Sequence, residues 1–403
     1  MMKIGLIGLL LATFPVHAFA ASGEARWWKG NLHTHSYWSD GNDFPEMIAD
    51  AYRSNGYHFL SLTDHNILSR GEKWMEVDRE HPERILTLGK YIERFGEEWV
   101  ETRGDFEEGN LEVRLKPLVE VKALLEKNGR FLLLEGEEIT DGADDGHSIH
   151  MNAIHLGELI PPPGGATVME VIRKSLTATR RQAARHGLET LFFVNHLNYD
   201  WAVTAADLAA EEELRFLEVW NGVQSDNDPG NPEHPSTDEK WDAANEIRMA
   251  GRGWPPLFAV GNDDTHDYHG FSDRALPFRA WIMVRAPYLT PEHLLRAMRG
   301  GDFYVSTGVE IEEIIFHDEE LRLRLNGLPG EAFTTRFIGV RRAGDGSTET
   351  GVLLKETRGK EPVYRMRGDE LYVRAVVTSN FETKVPSTEF AYQRAWTQPV
   401  GWR

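Results

Sequence analysis

The feature that most constrains the fold is an alternation of short apolar runs with helical segments. The runs have the length of buried strands, and each ends in polar residues: NLHTHS, HFLSLTDH, RFLLLEGEEIT, HMNAIHLG, TLFFVNHL, RFLEVWNG and PLFAVGNDDTH. Helical spacing of apolar residues lies between several of them, as in FPEMIADAYRSN and VMEVIRKSLTATRRQAARHG. Strand–helix alternation predicts an α/β fold with a parallel sheet or barrel. In such folds, polar residues at the carboxyl ends of the strands form the active site.

The last quarter of the chain has a different pattern. From about residue 311, the segments IEEIIFHDEELRLRLNG, TTRFIGVRRAG and ELYVRAVVTSN alternate apolar and polar residues, with turn signals between them. This pattern predicts a small antiparallel β domain over residues 309–403, after an α/β domain over residues 21–308. Residues 70–128 are rich in Glu and Trp, and we expect them to form a helical insertion that caps a pocket.

The first twenty residues are typical of a secretory signal peptide. They contain Lys3, an apolar run over residues 4–14 and an Ala18-Phe19-Ala20 cleavage pattern. The run is short for a membrane span. We therefore expect cleavage near Ala20 and a periplasmic or secreted protein with no membrane association after cleavage, and an N-terminal anchor or a buried strand is the alternative.

Charge and composition restrict the partners. The formal net charge is −20, which disfavours nucleic acid and anionic membranes as partners and favours a small-molecule substrate. Because the chain has no cysteine, it can form neither disulfides nor thiolate metal sites. Any transition-metal site must use His, Asp and Glu. The sequence does not indicate an oligomeric state.

Imidazoles and carboxylates cluster at the strand ends. His33 and His35 are one residue apart, so on a strand both face the same side. The other candidates are Asp40, Asp64, His65, Glu137, Glu138, His147, His150, His155, His196, Asp263, Asp264 and His266. Singly, each has an ordinary explanation, such as a turn at Asp40 or a helix cap at Asp64. Together they predict a multinuclear site for Zn²⁺, Mn²⁺ or Fe²⁺.

These motifs resemble the PHP family, the metallohydrolases named for polymerase and histidinol phosphatase, and most closely its exported, carbaryl-hydrolase-like subgroup. The residues that carry the resemblance are His33-Thr34-His35, Ser39-Asp40-Gly41, Thr63-Asp64-His65-Asn66, Gly136-Glu137-Glu138-Ile139-Thr140, His150-Met151-Asn152, Asn195-His196, Glu218-Val219-Trp220-Asn221-Gly222 and Asp264-Thr265-His266. The resemblance spans about residues 30–308. It implies a distorted seven-stranded (β/α)7 barrel with two or three divalent metal ions.

The resemblance also implies a ligand set. One ion would be held by His33, His35, Glu138 and Asp264. Glu138 would bridge to a second ion held also by His150 and His196, and a third ion would be held by Asp40, His65 and His266. Glu137, Asp263, His147 and His155 compete with their neighbours for these places. Asp64, His65 and Glu138 would be catalytic, with Asp64 orienting His65 or serving as a base. A local turn at Asp64 is the alternative.

The implied reaction is hydrolysis by a metal-bridging hydroxide. A small-molecule phosphoester is the favoured substrate (EC 3.1), and a carboxylic or carbamate ester is the alternative. A non-catalytic metal-binding module is a second alternative. Phosphate recognition usually needs Arg or Lys, for which Arg70 and Arg274 are the candidates, although either could be a surface charge. Tyr199, Trp201 and Trp220 could line an apolar pocket or belong to the core.

Overall fold

The computed structural model describes residues 23–223, 226–272, 275–383 and 391–402 of the 403-residue chain. Strands in the first three quarters are β1 (Arg26–Asn31), β2 (Phe59–Leu62), β3 (Lys73–Glu76), β4 (Thr102–Arg103), β5 (Glu112–Leu115), β6 (Leu132–Gly142), β7 (Ser148–Ile154), β8 (Leu191–Val194), β9 (Phe216–Asn221), β10 (Phe258–Asn262), β11 (Trp281–Ala286) and β12 (Phe303–Ser306). The remaining strands are β13 (Glu310–His317), β14 (Glu320–Asn326), β15 (Phe333–Arg342), β16 (Thr348–Arg358), β17 (Val363–Arg365), β18 (Glu370–Glu382) and β19 (Tyr392–Thr397). The predicted signal peptide lies outside the described residues.

Helices connect many of these strands. They are α1 (Pro45–Ser54), α2 (Pro82–Phe95), α3 (Leu118–Leu125), α4 (Val168–His186), α5 (Ala205–Leu208), α6 (Thr237–Glu246) and α7 (Pro291–Arg299), with a 3₁₀ turn at Tyr199–Trp201 and a π-helical turn at Ile247–Gly251. Local sequence sets their limits. Thr167 caps the start of α4 by accepting a hydrogen bond from the Glu170 N–H, and Gly187 ends it in the left-handed conformation. In the part of the chain that the structure describes, no helix is long and apolar enough to cross a membrane.

The architecture is a mixed α/β fold with one large sheet. Its thirteen strands have the order β10-β9-β8-β7-β6-β2-β1-β11-β12-β19-β18-β15-β16. From β1 to β10, seven neighbouring strands therefore follow chain order. Just beyond β1 and β10, Thr34 and Thr265 form a parallel bridge, in which the His35 N–H donates to the Thr265 carbonyl at 3.0 Å. The bridge joins the two ends of the seven-strand run at the carboxyl ends of its outer strands.

The strand–helix alternation predicted from the sequence is interrupted at one place. β6 and β7 form an antiparallel hairpin with no helix between them, and β7 is antiparallel to β8 as well. The connecting residues 143–147 form a turn in which Gly146 has φ 97°, a conformation that favours glycine. The expected helix between two successive strands is absent here, because this short Asp-Gly turn reverses the chain directly. The reversal brings the first residues of β7 to the carboxyl ends of the neighbouring strands.

The strands after residue 308 are antiparallel, as their alternating pattern predicted. β19 pairs with β12, so that β19, β18, β15 and β16 extend the large sheet, while β13, β14 and β17 form a separate three-stranded sheet. Inside-facing residues such as Leu323, Phe337 and Val377 form a second core cluster. The division into domains at residue 308 remains a prediction.

Residues 70–128 are not purely helical. They contain α2, α3 and the small sheet β3-β5-β4, in which residues 73–76 pair with residues 112–115 as antiparallel strands. Their apolar residues, Tyr91 and Val113 among them, pack against Tyr37, Trp38 and Phe44. Lys73 donates a hydrogen bond to the Trp38 carbonyl. This segment therefore supports residues 36–44, the loop that follows β1.

Candidate metal centre

Four of the predicted ligands meet in a buried group, with His33 and His35 just after β1, Glu138 within β6 and Asp264 just after β10. The His33 Nε2 atom lies 3.2 Å from Glu138 Oε2 and 3.1 Å from Asp264 Oδ1. The His35 Nε2 atom lies 3.1 Å and 2.9 Å from the same two oxygens. Two imidazole nitrogens and two carboxylate oxygens thus surround one point. We call these four side chains the buried group.

The second oxygen of Glu138 faces a different pair of imidazoles. Glu138 Oε1 lies 3.1 Å from His150 Nδ1 and 3.5 Å from His196 Nε2, and it accepts a hydrogen bond from Asn195 Nδ2 at 2.8 Å. The hairpin described above is what places His150 here. One carboxylate therefore faces two sets of nitrogen donors, an arrangement that allows it to bridge two cations.

Asp40, His65 and His266 form a third group, which we call the rim group. Asp40 Oδ2 lies 3.4 Å from His65 Nε2 and 3.5 Å from His266 Nε2. The His35 ring lies between the other two imidazoles, with centroid distances of 4.4 Å to His65 and 4.1 Å to His266. The side chain of Asp40 is 54% exposed, so this group opens to solvent while the buried group does not.

Several properties of these atoms fit divalent cations. Ligand atoms about 2 Å from a tetrahedral ion are roughly 3.3 Å apart, close to the distances within the buried group. The buried atoms His33 Nε2, His35 Nδ1 and Glu138 Oε2 have no hydrogen-bond partner among the described residues. A buried polar atom without a partner is costly. Nitrogen and carboxylate donors without thiolate suit Zn²⁺, Mn²⁺ and Fe²⁺. The residues present therefore fit a metal centre.

The titration of these groups reflects the same concentration of charge. Burial would lower the pKa of His35, but hydrogen bonds and charges from Asp264 and Glu138 outweigh it and raise that pKa to about 10. Burial would raise the pKa of Glu138, yet His33 and His150 hold it well below its usual value. The pKa of Asp264 is lowered in the same way by His33 and His35. Carboxylates that stay ionised while buried are available as ligands for a cation.

The structure separates the competing neighbours. Glu137 points away from the centre, where its carboxyl accepts a hydrogen bond from the Ile160 N–H at 2.7 Å. Asp263 accepts hydrogen bonds from the backbone N–H groups of residues 278–280, and it thereby positions the segment just before β11. His155 donates a hydrogen bond from Nδ1 to the Glu189 carbonyl, outside the centre. His147 forms none of the close ligand groups among the described residues. Glu138, Asp264 and His150 are therefore the members that meet.

The side-chain contacts of Asp64 are long-range and differ from those of the local turn given as the alternative. Its carboxylate accepts four hydrogen bonds, two from Ser36 and two from Ser39, at 2.7–3.0 Å. It thereby fixes the loop that carries Asp40. The side chain of His65 is oriented instead by Thr140, whose Oγ1 lies 2.5 Å from His65 Nδ1. These contacts give Asp64 a positioning role and do not place it as a base.

Two residues of the centre have left-handed backbone conformations. The φ angle is 23° at His196 and 51° at Asp264, which are uncommon values for residues with a side chain. Strained backbone of this kind persists only where surrounding contacts hold it, and it is concentrated at functional sites. Contacts around His196 and Asp264 must therefore hold these two backbone conformations.

Sequence reasoning did not assign a layer of buried polar residues beneath the centre. Glu218, Asn221, Asn195, Asn262 and Asn152 are all essentially inaccessible to solvent. Asn195 and Asn152 are joined by a hydrogen bond of 3.0 Å. The sequence does contain a signal for these residues. Polar residues inside otherwise apolar strands such as RFLEVWNG must find buried hydrogen-bond partners.

The remaining candidates lie elsewhere or at the edge. Arg70 pairs with Glu135 through two hydrogen bonds and also donates to the Gly157 carbonyl, so it is engaged away from the centre. Arg274 lies outside the described residues. Trp220 is buried against Trp396, and Trp201 stacks on His234 with a centroid distance of 4.2 Å. Tyr199 is the aromatic residue beside the centre, with its ring 5.2 Å from that of His196.

Comparison with known proteins gives distant structural similarities. No family model and no curated protein matches the sequence. A two-domain protein from Bacteroides vulgatus that contains a predicted PHP-like metal-dependent phosphoesterase is 16% identical, with 93% of this chain and 96% of that chain covered and a TM-score of 0.40. A candidate metal-dependent phosphoesterase from Bifidobacterium adolescentis is 15% identical, covering 59% and 87%, with a TM-score of 0.33. An amidohydrolase from Chromobacterium violaceum with bound sulfate is 12% identical, covering 60% and 88%, with a TM-score of 0.26. Similarity this distant does not assign the chain to a family.

Proposed function

We propose that this protein is a metal-dependent hydrolase of the PHP type, with a centre of two or three divalent ions. The observation that carries the proposal is the position of Glu138. Its two oxygens face two separate sets of imidazole nitrogens at 3.1–3.5 Å. A carboxylate can bridge two cations in this way, and an imidazole cannot.

The sheet topology supports the same family. Seven strands follow chain order from β1 to β10, and a bridge between Thr34 and Thr265 links the two ends of the run. We propose that this run is a distorted form of the family's seven-stranded barrel, in which the β6–β7 hairpin replaces one strand–helix–strand unit. The site lies at the carboxyl ends of the strands, as α/β folds of this kind require.

In this proposal His33, His35, Glu138 and Asp264 hold one ion, Glu138 shares a second with His150 and His196, and the rim group holds a third. Bound divalent ions supply Lewis acidity and lower the pKa of a coordinated water.

The residues of the chain orient the donor atoms of the rim. Thr140 fixes the His65 ring so that Nε2 faces Asp40. The His266 Nδ1 atom lies 2.9 Å from the Asp264 carbonyl, which also directs its Nε2 towards Asp40. Both imidazoles are thus set by a partner on the far side of the ring, the usual arrangement for metal-ligating histidines.

A small-molecule phosphoester is the substrate class that we favour, because the resemblance to the PHP family leans towards it and the open rim group leaves a face for substrate oxygens. A specific observation favours the alternative of a carboxylic or carbamate ester. Tyr199 is 41% exposed beside His196 and His150, so a flat apolar group could pack there, whereas Arg70 is already paired with Glu135.

The test is nitrophenol release by purified protein loaded with Mn²⁺ or Zn²⁺. The substrates are nitrophenyl phosphate, the bis-nitrophenyl phosphodiester and nitrophenyl acetate, and the control is the His65→Ala variant. Metal-dependent cleavage of a phosphate ester that is lost in the variant would support the phosphoesterase. Preference for the acetate would support the ester hydrolase. Bound metal with no turnover of any substrate would contradict a general hydrolase and favour a non-catalytic metal-binding module.

Residues 1–20 also support export, and we propose a periplasmic or secreted location. Expression of the full chain in a bacterial host, followed by fractionation and N-terminal sequencing, tests this. A mature N-terminus near residue 21 in the periplasmic fraction is the expected result. An uncleaved chain in the membrane fraction would favour the anchor.

A further inference from the structure

We infer that Glu218 is a positioning residue that couples the two bridged ion sites, because it holds His33 through one carboxylate oxygen and His196 through the other. The inference rests on the proposed metal centre but concerns a residue outside the ligand set. Glu218 lies in β9, inside the segment EVWNG, and its side chain is completely buried.

Each oxygen of Glu218 has two partners. Oε1 accepts a hydrogen bond from Asn262 Nδ2 at 2.8 Å and lies 3.3 Å from His33 Nδ1. Oε2 accepts hydrogen bonds from Asn221 Nδ2 at 2.8 Å and from the His196 N–H at 2.9 Å. These four contacts account for the accepting capacity of a carboxylate. Glu218 therefore acts on the ligands and is not itself placed to be one.

The contact with His33 determines which ring nitrogen carries the proton. Because both oxygens of Glu218 already face donors of other residues, Glu218 accepts from His33 as well, and this favours the tautomer of His33 with the proton on Nδ1. The lone pair of Nε2 then points towards Glu138 and Asp264. His35 differs, since its Nδ1 is 3.7 Å from Asp40 and has no hydrogen-bond partner among the described residues. Of the two adjacent histidines, the protein fixes His33 through its second ring nitrogen.

The same carboxylate reaches both strained positions of the centre. The left-handed His196 donates its N–H directly to Glu218. Asn221, which donates to Glu218, also donates to Asp264 Oδ2 at 3.2 Å, and Asp264 is the other left-handed residue. Three ligands from three strand ends are thus held by Glu218 and one asparagine.

The surrounding amides require a carboxylate at this position. Asn262 cannot exchange its oxygen and nitrogen without a loss, because its Oδ1 accepts the Leu32 N–H at 2.9 Å. Asn221 is fixed in the same way, because its Oδ1 accepts the Val223 N–H at 2.8 Å. Both asparagines therefore present an NH₂ group to Glu218. Glutamine in its place would set its own NH₂ group against one of them.

The test compares Zn²⁺ affinity of the metal-free wild-type protein and the Glu218→Gln variant by competition with a chromophoric chelator. Loss of a residue that orients a ligand typically costs about 10–100-fold in metal affinity, and we expect a loss in that range. Glu137→Gln is the matched control. It makes the same change at a buried glutamate of β6 whose side chain faces away from the centre. We expect this variant to bind Zn²⁺ with wild-type affinity.

A second readout separates positioning from folding. We expect the metal-free melting temperatures of Glu218→Gln and wild type to differ much less than their metal-induced rises in melting temperature. If Glu218→Gln does not fold, Asn221→Ala decides, since it leaves Glu218 in place and removes the asparagine that links it to Asp264. We expect weaker Zn²⁺ binding there too. If the folded variant binds Zn²⁺ with wild-type affinity, the inference about Glu218 is wrong and the proposed function is unaffected. Absence of Zn²⁺ binding by wild type would overturn the proposed function and the inference with it.

Discussion

The buried group and the rim group use the same kinds of side chain in opposite surroundings. In the buried group, the side chains of His33, His35 and Glu138 are at most 1% exposed. In the rim group, Asp40 is 54% exposed and His266 is 28% exposed. The buried group is held by polar residues within β9, such as Glu218 and Asn221, whereas the rim group is held by contacts of the Asp40 loop and by Thr140 of β6. If both groups bind cations, the buried group forms the more rigid site and the rim group the more open one, so we expect an ion at the rim to be held less tightly.

The loop that carries Asp40 is held by contacts that do not involve the buried group. Asp64 fixes the Asp40 loop through Ser36 and Ser39, and the segment over residues 70–128 packs on the far side of that loop. Asn42 joins this loop to the one that carries His266, because its N–H donates to the His266 carbonyl at 2.9 Å. These are contacts between connecting segments, which open more easily than strand interiors.

The largest effect is expected for removal of a buried ligand. His33→Ala should lower turnover by at least about 10³-fold and lower the bound metal, because it deletes one nitrogen from a preformed set. The fold should remain, since the residue contributes donors more than core packing. Metal analysis, circular dichroism and kcat/KM for nitrophenyl phosphate check this. Full activity in the variant would contradict the site assignment.

Removal of a rim ligand should have a smaller and more selective effect. Asp40→Ala should lose about one ion per chain, with kcat/KM reduced by roughly 10²-fold, because the buried group keeps its own donors. Metal stoichiometry after gel filtration is the measurement. Loss of all metal from Asp40→Ala would show that the buried group does not bind metal independently of the rim group.

Much of this centre could be predicted from sequence. Strand ends marked by His33, His65 and Asp264 were sufficient to predict a metal site, because parallel strands bring their carboxyl ends together. The residue pattern alone could not separate Glu137 from Glu138, since neighbouring residues on a strand differ only in the face they occupy. The choice of Glu138 came from the family resemblance. It also missed the β6–β7 hairpin, because a short apolar run has no direction until it pairs.

The buried carboxyl of Glu137, which faces away from the centre, provides a further test. Burial raises the pKa of Glu137 to about 8, so the folded protein binds a proton there that the unfolded chain loses near its ordinary pKa. The stabilising effect of that proton is complete below about pH 4.5 and is lost as pH rises towards 8.

Relative to Glu137→Gln, the wild type should therefore lose about 2 kcal/mol of unfolding free energy between pH 5 and pH 7. Urea unfolding of both metal-free proteins at the two pH values measures the difference. Parallel pH dependence of the two proteins would show that Glu137 is ionised in the folded state, against this account.

An effect on the substrate is expected at the edge of the centre. Tyr199→Ala should raise KM for nitrophenyl substrates by up to about 10-fold, since an aromatic contact contributes roughly 0.5–1.5 kcal/mol. Tyr199→Phe keeps the ring and should leave KM nearly unchanged. Equal KM values for the alanine variant and wild type would remove Tyr199 from the substrate site.

The smallest effect is expected for Arg70, which the sequence offered as a phosphate ligand. Its exposed ion pair with Glu135 should contribute at most about 1 kcal/mol to stability. Arg70→Ala should leave KM for nitrophenyl phosphate unchanged, because the guanidinium is engaged away from the centre. An increase in KM with stability preserved would return Arg70 to the site.

The most direct measurement of the central claim is an anomalous difference map from crystals grown with Mn²⁺. We expect at least two peaks about 3.5–4 Å apart, one on each side of the Glu138 carboxylate. His33 and His35 should lie at the first peak, and His150 and His196 at the second. A map with no peak at Glu138, or with a single peak that leaves one of its oxygens without an ion, would contradict the bridged centre.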